Sequence, residues 1–364
     1  MQSLNQNSVY YADYLKLDSL LGSQKPLSRN TGEEAHDETL FIIVHQVYEL
    51  WFKQILHEID SIIEVFKHDF IEEKMLYRVT SKLERIIKIQ SLLQDQLEVM
   101  ETMTPMDFLE FRDLLIPASG FQSVQFREIE IKMGLSTRKR ARVDTEYFLG
   151  RLSSKDQKRI KDVENSENIF DLTEHWLERI PFTKDKNFNF WRAYKENVEN
   201  MLSREEKIIT DNRASLPDEA QKRQLENLNQ TRKTFEALFS IEKNDFFKLS
   251  KKAVLNALFI FLYRDEPILQ QPFRYLTSLM NIDENFTAWR YRHSLMAQRM
   301  LGSKIGTGGS SGHGYLKMAA EKNRIFVDLF NLSTFLIPRS ELPKIPQEIK
   351  KELDFHFGQK KYES

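Results

Sequence analysis

Between Thr39 and about Lys67 large apolar residues follow one another too densely for any strand to accommodate: Leu40, Phe41, Ile42, Ile43 and Val44, then Val47, Leu50, Trp51, Phe52, Ile55, Leu56, Ile59, Ile62, Ile63 and Phe66. A strand of that length would put every second one of them in water, whereas a helix buried nearly all round takes them all. Burying such a helix requires others around it. The composition supplies them: 41% hydrophobic residues, 12% aromatic and 29% charged, with only 12 glycines and 10 prolines in 364 residues, which is the balance of a long-helix globular protein and excludes a disordered chain. An all-α fold is expected.

Other helices follow by the same periodicity. One spans about Glu72 to Glu101; a third begins near Pro105, breaks at IPASGF and resumes from Ser123 to Met133. A helical hairpin is expected between Asn189 and Phe246, turning near Leu216 and Pro217, within a charged, variable region from about 140 to 250. Further helices are expected at Ala253–Tyr263 and at about Asn281–Leu301. Residues 1–35 form an arm: a short helical pattern at Tyr11, Tyr14, Leu15, Leu17, Leu20 and Leu21, then a loop rich in turn residues. No period of 20 to 50 residues recurs, which disfavours a solenoid.

The charges nearly cancel, 53 basic against 54 acidic, so no overall field draws the chain to nucleic acid or to an anionic membrane. Arg138, Lys139, Arg140 and Arg142 form a local basic turn, but no aromatics interleave with them to stack bases, so a solvated turn is the preferred reading over a nucleic-acid contact. There is no long uncharged apolar run and no leader-like N-terminus, so a cytoplasmic, non-membrane protein is expected. The chain has no cysteine. Disulfides, thiolate chemistry and Cys-ligated metals are therefore excluded, and any metal falls to His, Met, Tyr or carboxylates.

Four features suggest a site. Residues 302–314, GSKIGTGGSSGHG, hold six of the 12 glycines and match neither common phosphate-binding pattern; a mobile lid or ligand-binding loop is preferred to a plain linker, because helix-forming apolar residues stand on both sides. Just before this loop, Trp289 and His293 share a helix face at i, i+4. On the dense helix Phe41, His45 and Tyr48 share another face, and a buried imidazole there requires either an internal hydrogen-bond partner or a ligand. Arg112 stands among Phe108, Phe111, Leu114 and Leu115; its partner is Asp107, Glu110, Asp113 or a ligand anion. These parts suit a cofactor-bearing small-molecule site without naming the cofactor, and a helical scaffold that binds another macromolecule is the alternative.

The segments YADYLKLDSLL (11–21), HDETLFIIVHQVYELWFKQILHEID (36–60), METMTPMDFLEFRDLLIPASGFQSVQFR (100–127), WRYRHSLMAQRMLGSKIGTGGSSG (289–312) and FVDLFNLSTFLIPR (326–339) closely resemble the tryptophan 2,3-dioxygenase family. The resemblance spans nearly the whole chain as one haem-dioxygenase domain, 1–364, and is weakest at about 140–250. It implies a helical bundle that holds haem (heme b, ferrous in the active form) between helices. It implies, too, insertion of both atoms of O2 across the indole C2–C3 bond of L-tryptophan to give N-formylkynurenine. In that family a helical histidine fourteen residues before the threonine of GTGGSSG binds the iron, which matches His293 and Thr307, with Trp289 beside it.

By the same resemblance, Phe41 packs against the indole and His45 accepts its N–H. Arg112 clamps the carboxylate, Thr307 contacts the amino-acid end, and Ser119 and Gly120 border the haem. Tyr11 and Tyr14 match an arm that reaches into a neighbouring subunit of a homotetramer. Ser294 and Leu114 depart from some relatives at positions that carry no expected ligand.

Overall fold

The structure, a computed structural model, describes residues 8–135, 150, 152–181, 184–185, 188–211, 217–240, 247–302, 304 and 312–353. Thr307 and the basic turn at 138–142 lie outside them. The dense apolar segment forms helix α3, His36–Phe66, preceded by the short α1 (Tyr11–Leu15) and α2 (Leu17–Leu21). α3 begins three residues before the apolar run because His36, Asp37 and Glu38 make its first turn. Glu38 is buried and accepts the backbone N–H groups of Leu27 and Ser28 at 2.7 and 2.9 Å, tying the preceding loop to the helix start. Carboxylates at this end also suit the helix dipole.

α4 (Glu73–Met100) packs along α3. α5 (Pro105–Arg112) is short and sharply begun: Pro105 occupies the first turn, and Thr104 and Asp107 exchange bonds in a reciprocal cap. The break expected at IPASGF is present, closing on a 3-10 turn at Gly120–Gln122 before α6 (Val124–Met133). α7 (Ser154–Glu164) and α8 (Ile169–Glu178) follow, and a two-residue antiparallel ladder, β1 (Lys184–Asp185) with β2 (Phe188–Asn189), is a minor exception to the helical class.

The expected hairpin is α9 (Phe190–Asp211) and α10 (Asp218–Ser240). The two run antiparallel, since Arg232 pairs with both Glu199 and Glu206 and Gln221 bonds the Ile209 carbonyl. α11 is Lys251–Leu262. α12, Pro267–Leu301, starts fourteen residues before the expected Asn281. Pro272 inside the helix interrupts its hydrogen bonding at a cost of about 3 kcal/mol, but Leu269, Tyr275, Leu276 and Leu279 are buried on either side of it, and their packing carries the helix through. α13 (Gly312–Lys322), α14 (Val327–Asn331) and α15 (Gln347–Leu353) complete the chain.

α12 lies along α4 for much of its length, and α4 also carries α3. One hydrophobic cluster runs from Ala35 to Leu353 through these helices. The helices of the arm stay outside it: α1 and α2 bury no residue, Lys16 breaks them apart with a left-handed φ of 55°, and Tyr11 and Tyr14 are 70% and 75% exposed. Among the described residues no helix is long and apolar enough to cross a membrane.

Candidate functional site

α3 and α12 each pack on α4, and beside α4 they face a cavity of about 350 Å³. That volume lies within the range of small-molecule sites. α3 contributes Phe41, His45 and Tyr48, which recur at i, i+4 and i+7 and so share one stripe; α12 contributes Trp289, His293, Met296 and Met300 on a corresponding stripe. Arg112, at the last position of α5, and Ser119 with Gly120, at the break before α6, form another part of the wall. Eight of the site residues singled out by sequence are thereby brought together: Phe41, His45, Tyr48, Arg112, Ser119, Gly120, Trp289 and His293. Tyr11 and Tyr14 are on the exposed arm and do not line the cavity.

His45 lines the cavity and is exposed on the surface that faces it. Its Nδ1 lies 2.7 Å from the Phe41 carbonyl; a carbonyl only accepts, so Nδ1 carries the proton and Nε2 the lone pair. Burial lowers the pKa of the ring from its ordinary value, outweighing the Phe41 carbonyl and the Glu49 charge. The site therefore holds a neutral acceptor. Phe41 touches the same imidazole with ring centroids 4.1 Å apart, and is itself held between Phe108 and Phe111 at 5.8 and 5.6 Å.

His293 is more deeply shielded. Burial first, and the positive charge of a protonated His45 second, lower its pKa to about 4, so its imidazole is neutral near pH 7, the form that ligates iron. Its Nδ1 is buried with no hydrogen-bond partner among the described residues. Trp289 stacks on it, centroids 5.2 Å apart and planes at 26°. His313, a second possible iron ligand, is engaged elsewhere: its Nδ1 is 2.9 Å from Ser294 Oγ, and it does not line the cavity.

Arg112 resolves its alternatives in part. Asp107 is committed to the α5 cap, and the Arg112 guanidinium is 3.1 Å from Asp113, whose carboxylate is largely in solvent. An exposed partner of this kind holds weakly. Gly120 has nothing within 4 Å of where a Cβ would sit, so it faces open space and leaves the backbone accessible.

Sequence reasoning did not find the polar base of the cavity. Glu130 takes Arg290 at 2.6 Å and Arg127 at 3.1 Å, and Arg290 also donates to the Asn323 carbonyl at 3.1 Å. Arg290 and Glu130 are almost wholly buried. The available signal was the Arg127–Glu130 pair at i, i+3 between apolar positions of α6; its union with Arg290, 160 residues later, has no local trace.

Comparison with known proteins places the chain beside one group of enzymes. A family model described as tryptophan 2,3-dioxygenase matches residues 1–336. A tryptophan 2,3-dioxygenase of Bdellovibrio bacteriovorus is 49% identical over 355 residues, 96% of this chain and 99% of that protein. One of Alteromonas mediterranea is 46% identical over 358 residues, 97% and 99% of the two chains. A third, from Dictyostelium discoideum, is 44% identical over 361 residues, 96% and 89%.

Proposed function

The chain belongs to the tryptophan 2,3-dioxygenase family, and from that premise we propose how its cavity serves the reaction. It is an oxidoreductase that oxidises tryptophan in the first step of the kynurenine pathway, inserting both atoms of O2 across the indole C2–C3 bond to give N-formylkynurenine. One observation carries the assignment of roles: a neutral, half-buried histidine on α12 and an acceptor histidine on α3 line one apolar cavity together with an arginine fork.

The residues fit a haem. His293 offers a neutral imidazole whose surroundings demand no other partner, the walls are mostly aromatic and apolar, and Gly120 leaves open space at the edge. We assign heme b to this site, with His293 as its protein ligand, Trp289 beside that ligand, and Ser119 and Gly120 along its border. Ferrous haem, when bound there, supplies the activation of dioxygen that amino-acid side chains lack. The protein does the rest. Phe41 packs on the indole, His45 Nε2 accepts the indole N–H, Arg112 grips the carboxylate, and the aromatic walls keep water away. Thr307 is assigned to the amino-acid end of the substrate.

The exposed arm accords with Tyr11 and Tyr14 completing a neighbour's site in a homotetramer, since α1 and α2 bury nothing in their own chain. The core shared by Ala35 to Leu353 supports one domain, and the absence of cysteine accords with the cytoplasm. The reaction is tested by supplying isotope-labelled O2 and L-tryptophan to the reduced haem protein and weighing the product. Both labelled atoms should appear in N-formylkynurenine; one atom, or none, rejects the assignment.

His45 is expected to position the indole and not to act as an indispensable base, because indole N–H is far too weak an acid to surrender its proton fully to imidazole. His45→Ser should keep its haem and measurable turnover. Tryptophan binding should weaken by about twofold to tenfold, the worth of one neutral hydrogen bond. Protonation would remove the accepting lone pair. Since burial lowers the His45 pKa, binding should hold as pH falls through the ordinary imidazole value of about 6.5 and decline only below it, and this limb should vanish in His45→Ser. A fully loaded ferrous variant without detectable dioxygenation at saturating tryptophan would instead make His45 an obligatory acid–base group.

A further inference from the structure

Tyr48 stands one helical turn beyond His45 on α3 and lines the same cavity, yet none of the roles above uses it. Its hydroxyl makes two bonds whose directions are fixed by their partners. The Leu93 carbonyl on α4 only accepts, so the Tyr48 O–H donates to it; the Trp289 indole N–H only donates, so it is received by the Tyr48 oxygen at 3.1 Å. Burial pushes the Tyr48 pKa up to about 12, and the hydroxyl keeps its proton at any pH at which the protein works. A buried indole N–H requires such a partner. Phe126 packs against the same indole, its ring centroid 5.2 Å away, so Trp289 is held by a hydrogen bond at one edge and by packing.

Trp289 is in turn what orients His293. The final torsion of a histidine side chain is broad and intrinsically two-fold, so covalent geometry leaves the plane of the imidazole loosely set. In this site the near-parallel indole, 5.2 Å away at 26°, lies against that plane. We propose that Tyr48 is a positioning residue for His293, acting through Trp289: by fixing the indole edge it fixes the rotation of the stacked imidazole, and a single hydroxyl thereby links α3, α4 and the ligand-bearing turn of α12. This inference rests on His293 being the iron ligand. Groups that act on a metal-binding histidine from outside in this way ordinarily orient it and tune what it binds. A tyrosine that served only as core filling would alter stability and leave the ligand's orientation unchanged.

The test uses the full-length, haem-loaded protein and its variants Y48F, W289F and the double variant. Y48F keeps the ring and deletes only the oxygen. The readouts are the iron–histidine stretching band in the Raman spectrum of the ferrous protein and the rate at which haem passes to an excess of apoglobin. Y48F should shift the band and lose haem about tenfold faster, the lower end of what outer partners contribute. W289F should do at least as much, and the double variant no more than W289F alone, because the hydroxyl acts through the indole. An unmoved band with unchanged haem loss in Y48F overturns the proposal, as does a double variant whose effect is the sum of both. Should Y48F yield no folded protein, W289F, which deletes the other half of the same hydrogen bond, decides by the same band. His293→Ala separates the premise from the inference. If that variant keeps haem and band, the ligand assignment is wrong; if it loses them while the Y48F band is unmoved, the positioning role alone is refuted.

Discussion

Replacing His293 by alanine is expected to abolish stable haem binding, and tryptophan oxidation with it. The imidazole lines the cavity, is neutral because burial lowers its pKa to about 4, and has its Nδ1 in no hydrogen bond among the described residues. Its removal therefore orphans no buried donor or acceptor, and the large costs that follow from broken internal networks do not arise. Helix α12 itself is held by Leu269, Tyr275, Leu276, Leu279, Ile282 and Phe286, all buried away from the cavity wall. The variant should fold with unchanged helicity and pass through gel filtration without a Soret band, which distinguishes loss of the ligand from loss of the protein. A variant that retained the ferrous spectrum and turnover of the parent would transfer the iron to another residue. His313 would be the first to test, although its Nδ1 would have to leave Ser294.

How far such a site could be read in advance depends on the range of the interactions that build it. Phe41, His45 and Tyr48 are legible as one stripe because helical spacing alone aligns them, and the start of α5 is legible because Thr104, Pro105 and Asp107 form a local cap. Pro272 misleads for a related reason. Local rules read proline as a stop, whereas here the buried residues around it hold the helix together, and that packing comes from distant chain. The meeting of α3 and α12 across the cavity likewise follows from their common packing on α4, which no spacing reveals; likeness to a family anticipated it. Likeness did not yield the Glu130–Arg290 base or the Tyr48–Trp289 bond, because each joins residues more than 150 positions apart and each residue taken singly looks ordinary. The arm shows the converse. Its apolar periodicity is real, but among the described residues Tyr11 and Tyr14 stay exposed.

Arg112 gives the other large effect, and one that can be confined to substrate binding. Its guanidinium lines the cavity at the end of α5, mostly buried, with an exposed Asp113 carboxylate 3.1 Å away. A substrate carboxylate entering from the cavity side would meet the planar fork in a drier place than Asp113 offers, and charge-assisted bonds of that kind are worth about 1.5–3 kcal/mol. Arg112→Ala should accordingly raise KM for tryptophan about tenfold to a hundredfold, and the Asp113 carboxylate it leaves behind stays solvated. The haem spectrum should be that of the parent, since Arg112 lies on α5 and the proposed iron ligand on α12. Arg112→Lys keeps the charge but offers a point donor in place of two parallel ones, so it should recover only part of the loss. Tryptamine supplies the control within the unmodified enzyme: lacking the carboxylate, it should bind as weakly as tryptophan binds to Arg112→Ala, and Arg112→Ala should change its KM little. Equal kinetics for tryptophan and tryptamine in the parent enzyme would show that no carboxylate is being gripped, and the role of Arg112 would then be confined to contacts within its own chain, the Asp113 pair among them.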